Sequence, residues 1–158
     1  MEAKAIIARP GTGETFSAFG STLTFKVTTD QTVGLIGFYA IEMNPHAGGP
    51  KLHFHKEMDE TFIINEGVLT MLTAEGETEV TPGSIVYIPR RTAHGYNNNS
   101  ADKVKMTMIF NPGLNREDFF RKMYQGLKDQ PDDLAFFQQL YAEYDSYPVN
   151  ESNMIPLK

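Results

Sequence analysis

Short segments rich in β-branched and aromatic residues, separated by turn residues at close intervals, occupy the sequence from about residue 22 to residue 110. Such segments, with apolar and polar positions alternating, are typical of half-buried β-strands. The stretches Asn65-Glu66-Gly67 and Thr81-Pro82-Gly83 supply the residue types that tight reversals need. The pattern therefore predicts an all-β, antiparallel sandwich or barrel. The predicted strands are 22–28, 33–43, 51–55, 60–65, 67–73, 77–81, 84–88, 94–98 and 103–110.

The hydrophobic period changes towards the end of the chain and predicts two helices. Asn115 supplies a capping residue for the first helix. The second helix is expected to start at Pro131, with Asp132 and Asp133 near the positive end of its dipole. We expect both helices to pack on the barrel or on a partner. Their apolar positions recur every three or four residues, at Phe119, Phe120, Met123 and Leu127 and then at Leu134, Phe137, Leu140, Tyr141 and Tyr144.

These patterns divide the chain into one barrel domain with an extension at each end. Residues 1–21 form an N-terminal arm that could add an edge strand, and residues 22–112 form the barrel. Residues 113–145 are the helical extension, and the polar residues 146–158 are an extended tail. A chain of 158 residues with 41% hydrophobic content is enough for one compact domain and short for two.

Composition narrows the classes of partner. A net charge of -6 and a pI near 5.2 argue against a nucleic-acid groove, which needs a concentrated basic surface. No apolar run is long enough to cross a bilayer, and the first residues lack the apolar core of a signal peptide. The chain has no cysteine, so any bound metal must be held by nitrogen and oxygen donors. We expect a soluble, cytoplasmic protein that binds neither nucleic acid nor membrane.

Three of the four histidines, together with one carboxylate, have a spacing that suits a metal ion. His53 and His55 would project from the same face of a β-strand, one pleat apart. Glu60 and His94 follow in later segments. Neutral imidazole is the commonest protein metal ligand, and mixed nitrogen and oxygen donors suit several divalent ions. The rivals are two neighbouring carboxylates and one loop histidine, namely Glu57, Asp59 and His46.

Two motifs around these residues resemble those of the cupin family. The first is His53-Phe54-His55, four residues, Glu60, six residues and Gly67, and the second places Gly83, Pro89, His94 and Asn98 at the family positions. Within cupins the chain is most similar to small single-domain proteins grouped with quercetin dioxygenase, which also have a pair like Phe119-Phe120. The resemblance implies a jelly-roll barrel, an antiparallel double-stranded β-helix, with a C-terminal helical extension. It also implies His53, His55, Glu60 and His94 as metal ligands, Glu60 as catalytic proton acceptor, and a homodimer.

The chain departs from the family pattern at two turns. The glycine that usually precedes the first histidine by six positions is replaced by Ala47, and Gly48 and Gly49 follow, which predicts a reshaped loop. Arg91 stands where the second motif usually has glycine. Either that turn differs from the family turn, or Arg91 tolerates left-handed backbone angles at some cost.

Strand alternation predicts the wall of a pocket beside the metal. An inward Lys51 would need a carboxylate, a ligand anion or water, and it could fix an acidic substrate. The other predicted wall residues are apolar or aromatic, and three of them, Met106, Met108 and Phe110, suit plain core packing equally well. The predicted substrate-binding set is Lys51, Phe62, Tyr96, Met106, Met108 and Phe110.

The donor set leaves the metal and the reaction open. Three histidines and one glutamate fit Fe(II), Mn(II), Ni(II), Zn(II) and Cu(II), of which we favour Fe(II) or Mn(II). The leading hypothesis is a metal-dependent oxygenase, similar to quercetin dioxygenase, that acts on a small aromatic or enolisable compound. The alternatives are a metal-assisted isomerase or lyase and a non-enzymatic cupin that binds a small molecule.

Overall fold

Two antiparallel sheets pack face to face in the computed structural model, which describes residues 4–154. One sheet has six strands in the order β1-β2-β3-β10-β5-β8, and the other has five in the order β11-β4-β9-β6-β7. Aromatic rings meet between the sheets, because Phe62 of β5 lies edge-on to Tyr96 of β9 at 5.4 Å. The strands are Thr15–Ala18 (β1), Ser21–Val27 (β2), Gly37–Met43 (β3), His53–Phe54 (β4), Asp59–Glu66 (β5), Leu69–Thr73 (β6), Gly76–Val80 (β7), Ile85–Ile88 (β8), His94–Asn97 (β9), Val104–Asn111 (β10) and Tyr147–Pro148 (β11).

The inner strands of the six-stranded sheet bury every second residue over most of their length, as their sequences predict. Strand β10 alternates buried and half-buried side chains along its length and pairs with β3 on one side and β5 on the other. Across the β3 pair, Met106 faces Ile41 and Met108 faces Tyr39. All four of these side chains are buried, so this face forms part of the core. The arrangement is the predicted all-β jelly-roll barrel with two C-terminal helices.

Two strands are shorter than predicted because the backbone turns before or after them. The strand predicted at 33–43 begins only at Gly37, because Val33 and Gly34 adopt positive φ angles of 56° and 79° after a 3-10 helix at Asp30–Thr32. The strand predicted at 51–55 is reduced to His53–Phe54. The lengths of β3 and β4 depend on neighbouring turns, and the alternation of apolar and polar residues does not predict where those turns begin.

Helices α1 (Arg116–Asp129) and α2 (Leu134–Glu143) follow the barrel. Phe120 of α1 packs on the ring of Tyr39 at 5.3 Å, which places the apolar face of α1 against the six-stranded sheet. The start of α2 was predicted wrongly, because Pro131 precedes it and Asp133 is its N-cap, accepting from the Phe136 amide at 2.9 Å. No helix between residues 4 and 154 has the length and apolar content needed to span a membrane.

The described chain adds an edge strand near each end. Strand β1 pairs with β2 at one edge of the six-stranded sheet. Strand β11 pairs with β4, placing Tyr147 beside Phe54 and Pro148 beside His53. The segment after α2 therefore lies next to the strand that carries the first histidine of the predicted site.

Candidate metal centre

The structure brings His53, His55, Glu60 and His94 together between the two sheets. His53 on β4 lies directly opposite His94 on β9, and His55 follows β4. Glu60 comes from β5 of the facing sheet. His55, Glu60 and His94 are buried, and His53 is half-buried. The four side chains thus converge from both halves of the barrel on one point.

The spacing of their donor atoms is close to what one ion requires. One ligand atom from each residue can be chosen such that all four lie within 4.8 Å of one another. Ligands at about 2.1 Å from a common ion are at most about 4.2 Å apart. The limit of 4.8 Å exceeds this spacing by only about 0.6 Å, so the four donors lie close to a common coordination sphere. This buried group of three imidazoles and a carboxylate can hold one metal ion.

Backbone carbonyls fix the orientation of all three imidazole rings. The Nδ1 atoms of His53, His55 and His94 donate to the carbonyls of Lys51 at 2.7 Å, Asp145 at 2.6 Å and Thr92 at 2.9 Å. A carbonyl oxygen only accepts, so each Nδ1 carries the hydrogen. In a neutral ring the lone pair then lies on Nε2, which is the arrangement that histidine ligands of metals have.

The Nε2 lone pairs of His55 and His94 face the carboxylate of Glu60, and this arrangement is stable only with a positive charge between the nitrogen and oxygen atoms. Glu60 Oε2 lies 3.1 Å from Nε2 of His55 and 2.7 Å from Nε2 of His94. A lone pair and a carboxylate oxygen at these distances repel each other unless a proton or a cation lies between them. One proton satisfies one such pair, whereas a metal ion satisfies all four groups at once.

Burial and mutual proximity perturb the pKa of every member of the group. Burial, with His94 and His55 close by, holds the pKa of His53 well below its ordinary value, and burial also lowers the pKa of His55. Burial opposes charge on His94 too, but the field of Glu60 and their hydrogen bond raise the His94 pKa. For Glu60, burial is outweighed by His94 and His55, so its pKa is lowered. Glu60 is therefore anionic, and the lowered pKa values keep His53 and His55 neutral, which is the protonation state that metal binding requires of these ligands.

An apolar cavity of about 80 Å³ adjoins the group, and His53 and Glu60 form part of its wall. One water needs roughly 10–15 Å³ measured in this way, so the cavity has room for a small organic molecule. The barrel, helix α1 and the segment after α2 all contribute to the wall. Most of the lining is aliphatic or aromatic, as in Leu23, Ile41, Phe119, Phe120 and Met123.

The predicted substrate-binding residues fall into two groups. Lys51, Tyr96, Met108 and Phe110 line the cavity. The other two predicted residues, Phe62 and Met106, do not belong to this wall. Both are buried in the barrel core, with 0% and 1% of their surface exposed. The ammonium of Lys51 donates to the backbone carbonyl of Ser152 at 3.2 Å.

The rivals of the four ligands lie elsewhere. The side chains of Glu57 and His46 are exposed. Asp59 accepts from the guanidinium of Arg90 at 3.0 and 3.2 Å. Because β5 alternates its side chains, Glu60 is turned inward and Asp59 outward.

The two turns that depart from the family pattern have structural explanations. A Cβ atom at Gly49 would lie 2.1 Å from the carbonyl oxygen of Tyr96, so Gly49 supplies the close approach in this loop. Arg91 adopts a φ of 69°, and its amide donates to the carbonyl of His55. Arg91 therefore tolerates the left-handed conformation, and it ties the second turn to the first metal-site loop.

Sequence reasoning missed Arg116, a buried cation in the cavity wall. Its exposure is 3%, and its guanidinium lies over the ring of Phe119 at 3.8 Å and that of Phe110 at 4.7 Å. A helical signal for it exists in the sequence. Arg116 precedes Phe119 and Phe120 by three and four positions, so it lies on the same face of α1 as the buried phenylalanines.

Sequence reasoning also missed the segment that follows α2. The carbonyl of Asp145 accepts from His55, and its carboxylate accepts from the amides of Lys56 and Glu57 at 2.8 and 2.9 Å. One residue outside the barrel therefore positions both the ring of His55 and the loop that follows it. No local signal near residue 145 identifies this long-range contact.

Comparison with known proteins shows what the barrel is similar to. Residues 39–110 match the family model described as a cupin domain. The matched range covers slightly less than half of the chain and contains both motifs. A curated relative, quercetin 2,3-dioxygenase of Bacillus subtilis strain 168, is 38% identical over 77 residues. The alignment covers 47% of this chain and 22% of that protein, so the chain spans about a fifth of the relative's length.

Solved structures support the fold. An RmlC-like cupin from Shewanella frigidimarina matches with a TM-score of 0.61 and 18% identity, covering 75% of this chain and 99% of that one. A polyketide cyclase from Streptomyces resistomycificus matches with a TM-score of 0.59 and 18% identity, covering 71% and 80%. At such identities the likeness concerns the barrel and not the reaction.

Proposed function

We propose that His53, His55, Glu60 and His94 hold one divalent transition metal ion. The observation that carries this proposal is the set of three Nδ1–H donors fixed on carbonyls, which directs the Nε2 atoms at a common centre beside a buried carboxylate. Such a nitrogen and oxygen set suits Fe(II) and Mn(II), which we favour, and also Ni(II), Zn(II) and Cu(II).

We infer that the protein is a metal-dependent oxygenase for a small aromatic or enolisable compound. An ion in this site supplies Lewis acidity towards a pair of substrate oxygens and, when redox-active, electron transfer to O2. The apolar cavity beside the site excludes water and fits a compact hydrophobic skeleton. The sequence similarity to a quercetin dioxygenase supports the same class.

Glu60 has the position for proton transfer. Both histidine contacts use its Oε2 atom, and the residue lines the cavity. The lowered pKa keeps the carboxylate deprotonated but makes it a weak base, so the enolisable C–H or O–H group whose proton it accepts must be acidified by metal coordination. The surrounding aromatic wall, including Tyr96 and Phe110, would hold the flat skeleton of an enol or aromatic substrate.

Oxygen uptake by metal-loaded protein tests the reaction class. Protein reconstituted with Fe(II) or Mn(II) is screened against flavonols, diketones and catechols in an oxygen electrode. We expect O2 consumption that requires both metal and substrate and that is lost in Glu60→Gln but kept in Glu57→Gln. Tight substrate binding with neither O2 consumption nor product would assign the protein to non-enzymatic small-molecule binding.

A metal-assisted isomerase or lyase is the second candidate. It rests on the same buried donor set beside an apolar cavity, which serves Lewis-acid chemistry with or without a redox-active ion. In such a reaction the ion polarises a carbonyl without electron transfer. Turnover of a substrate at the same rate with and without O2 would establish this class and overturn the oxygenase proposal.

We also propose that the chain forms a homodimer. Edge strand β8 carries Ile85 and Tyr87, which are 68% and 59% exposed. Apolar side chains at a sheet edge favour association. Multi-angle light scattering over a tenfold range of concentration should give about twice the chain mass of 17.7 kDa. A concentration-independent monomer would rule the dimer out.

A further inference from the structure

We propose that Arg116 is the substrate-specificity residue of the cavity and that it binds a carboxylate on the substrate. The substrate would then be a small enolisable or aromatic acid, with its oxygen pair at the metal site and its carboxylate at α1. This inference rests on the proposed function, because it assumes that the cavity beside the four ligands is the substrate site.

The guanidinium of Arg116 is held rigidly but incompletely. Nη1 donates to the carbonyl of Tyr144 at 2.8 Å, and Nη2 donates to Oγ of Ser146 at 3.0 Å. Among the described residues Nε has no hydrogen-bond partner, although it is buried. A buried N–H without a partner is expensive, and for a charged group the penalty is larger. The two bonds that exist fix the plane of the group, and the free N–H marks where a ligand oxygen belongs.

A second buried polar atom in the same wall is also unpartnered. Ser21 Oγ lacks a hydrogen-bond partner in the part of the chain that the structure describes, and Ser21 is 7% exposed. Both Ser21 and Arg116 line the cavity. These two atoms are the buried unpartnered side-chain polar atoms between residues 4 and 154, and both belong to one cavity. This coincidence indicates a polar ligand rather than a hydrocarbon filling.

The charge of Arg116 is not neutralised by an adjacent carboxylate. Within residues 4–154 no ion pair at 4.0 Å or less involves this guanidinium, and its close neighbours are aromatic rings. Burial lowers the pKa of Arg116 to about 10, which still leaves the group charged at neutral pH. A divalent ion together with Arg116 would outweigh the single charge of Glu60. The cavity then favours an anion.

The geometry of a guanidinium favours a carboxylate over other anions. Nε–H and one hydrogen of a neighbouring Nη atom form a planar fork that matches the two oxygens of a carboxylate. Nη2 has two hydrogens and uses one for Ser146. The apolar character of the rest of the wall suits a skeleton with one such group. The cavity therefore fits a compact keto acid or aromatic acid.

A matched pair of diketones separates this inference from the proposed function. Pentane-2,4-dione offers an enolisable oxygen pair, and 2,4-dioxopentanoate adds a carboxylate to the same unit. Their dissociation constants are measured by calorimetry with Mn(II)-loaded protein under anaerobic conditions. We expect the acid to bind about 10- to 100-fold more tightly than the dione, as for a charge-assisted hydrogen bond inside a protein. Equal affinities in the wild-type protein would overturn the inference.

Variants of Arg116 test whether this side chain causes the preference for the acid over the dione. Arg116→Met should lower the affinity for the acid far more than that for the dione. The two dissociation constants should then differ by no more than about threefold. Arg116→Lys keeps the charge without the fork and should retain part of the preference. The matched control is Arg121→Met on the same helix, where Arg121 is 44% exposed and bonded to Glu14 and Asp118. The Arg121→Met variant should keep the same preference for the acid over the dione as the wild-type protein.

The outcomes distinguish the two proposals. An undiminished preference for the acid in a folded Arg116→Met protein would mean that the carboxylate binds the metal or Lys51, and it would overturn the role of Arg116 alone. Failure of both compounds to bind, or binding that survives removal of the metal, would overturn the proposed function. If Arg116→Met does not fold, the wild-type ratio and the Arg116→Lys ratio still decide the question.

Discussion

At the scale of single residues, the proposed function depends on the hydrogen bonds that the three imidazole rings make through Nδ1, on the side that faces away from the candidate metal centre. Each Nδ1–H is committed to a backbone carbonyl, so the chemistry is left to Nε2. Glu60 provides the negative charge at this centre, and it comes from the facing sheet. The proposed metal site thus depends on backbone geometry as much as on four side chains.

Glu60→Gln tests the choice of carboxylate. Removing an outer-shell partner of a metal ligand typically lowers metal affinity by about 10–100-fold, and neutralising a direct donor should exceed that. We expect Glu60→Gln to lower affinity at least ~100-fold in a competition titration with a coloured chelator. Glu57→Gln, at an exposed position in the same loop region, should match the wild-type protein. The reverse ranking would show that Glu60 is not the ligand.

Single residues also show how far the sequence predicts the site. Motif spacing predicted four side chains whose donor atoms the structure places within 4.8 Å of one another, because strand parity and two turns determine where they point. Arg116 escaped prediction because a charged residue after a capping asparagine is usually exposed. Its burial arises when α1 packs on the barrel, and the one sequence signal for it is its spacing of three and four positions from Phe119 and Phe120. Phe62 and Met106 were placed at the cavity wall because parity distinguishes inside from outside but does not locate the cavity.

At the scale of elements, the segment after α2 links the helices to the metal centre. Asp145 adopts a φ of 54° and bonds to the amides of Lys56 and Glu57, while its carbonyl holds the ring of His55. Strand β11 continues this contact along β4. The C-terminal extension therefore forms part of the support of the site.

Asp145→Gly should weaken metal binding without touching a ligand. Glycine accepts the left-handed backbone, but it removes the two carboxylate oxygens that accept from the amides of Lys56 and Glu57. We expect metal affinity to fall by about tenfold in the chelator titration. Asp145→Asn also tolerates this backbone and keeps one oxygen acceptor, so its loss should be smaller. Wild-type affinity in Asp145→Gly would contradict the supporting role of this segment.

Gly67→Ala tests the turn between β5 and β6. Gly67 has a φ of 74°, and a Cβ atom there would lie 2.1 Å from the carbonyl oxygen of Lys103. Gly83 has a φ of 88° with open space around it, so Gly83→Ala isolates the cost of backbone strain. We expect about 1 kcal/mol of destabilisation for Gly83→Ala and about 2–4 kcal/mol for Gly67→Ala by urea unfolding. Equal losses would exclude the close approach as the cause.

The elements were predictable to different degrees. Strands with regular alternation, such as β3, β5 and β10, were located because one face of each is buried. Strand β11 was not, since two residues that pair at a sheet edge carry no periodicity. The start of α2 shifted from Pro131 to Leu134 because the side-chain bond from Asp133 to the Phe136 amide defines the first turn. Caps of this kind depend on geometry that several neighbouring residues could satisfy.

At the scale of the whole molecule, the proposed ion would join the two sheets of the barrel. Three donors belong to the five-stranded sheet and its adjoining loop, and Glu60 belongs to the six-stranded sheet. A ligand that binds only the folded state raises its stability in proportion to the logarithm of its concentration over the dissociation constant. The jelly-roll barrel was predictable from sequence, because alternating apolar positions indicated its antiparallel strands and the resemblance of the two motifs to cupin motifs implied its topology.

Removal of metal should lower the melting temperature. With free metal at about 100 times the dissociation constant, binding contributes about 2.7 kcal/mol, which corresponds to roughly 5–10 °C for a chain of this size. The shift is measured by calorimetry before and after treatment with a chelator. In His94→Ala the chelator should have no effect. An equal chelator effect in wild-type protein and variant would place the stabilising ion elsewhere.

The most direct test of the central claim is the metal content of the purified protein, measured by inductively coupled plasma mass spectrometry. After purification without a metal-affinity tag, we expect about one divalent transition metal ion per wild-type chain and almost none in a folded His94→Ala variant. Wild-type protein that binds no metal even after reconstitution, or a variant with unchanged metal content, would contradict the claim that His53, His55, Glu60 and His94 form a metal centre.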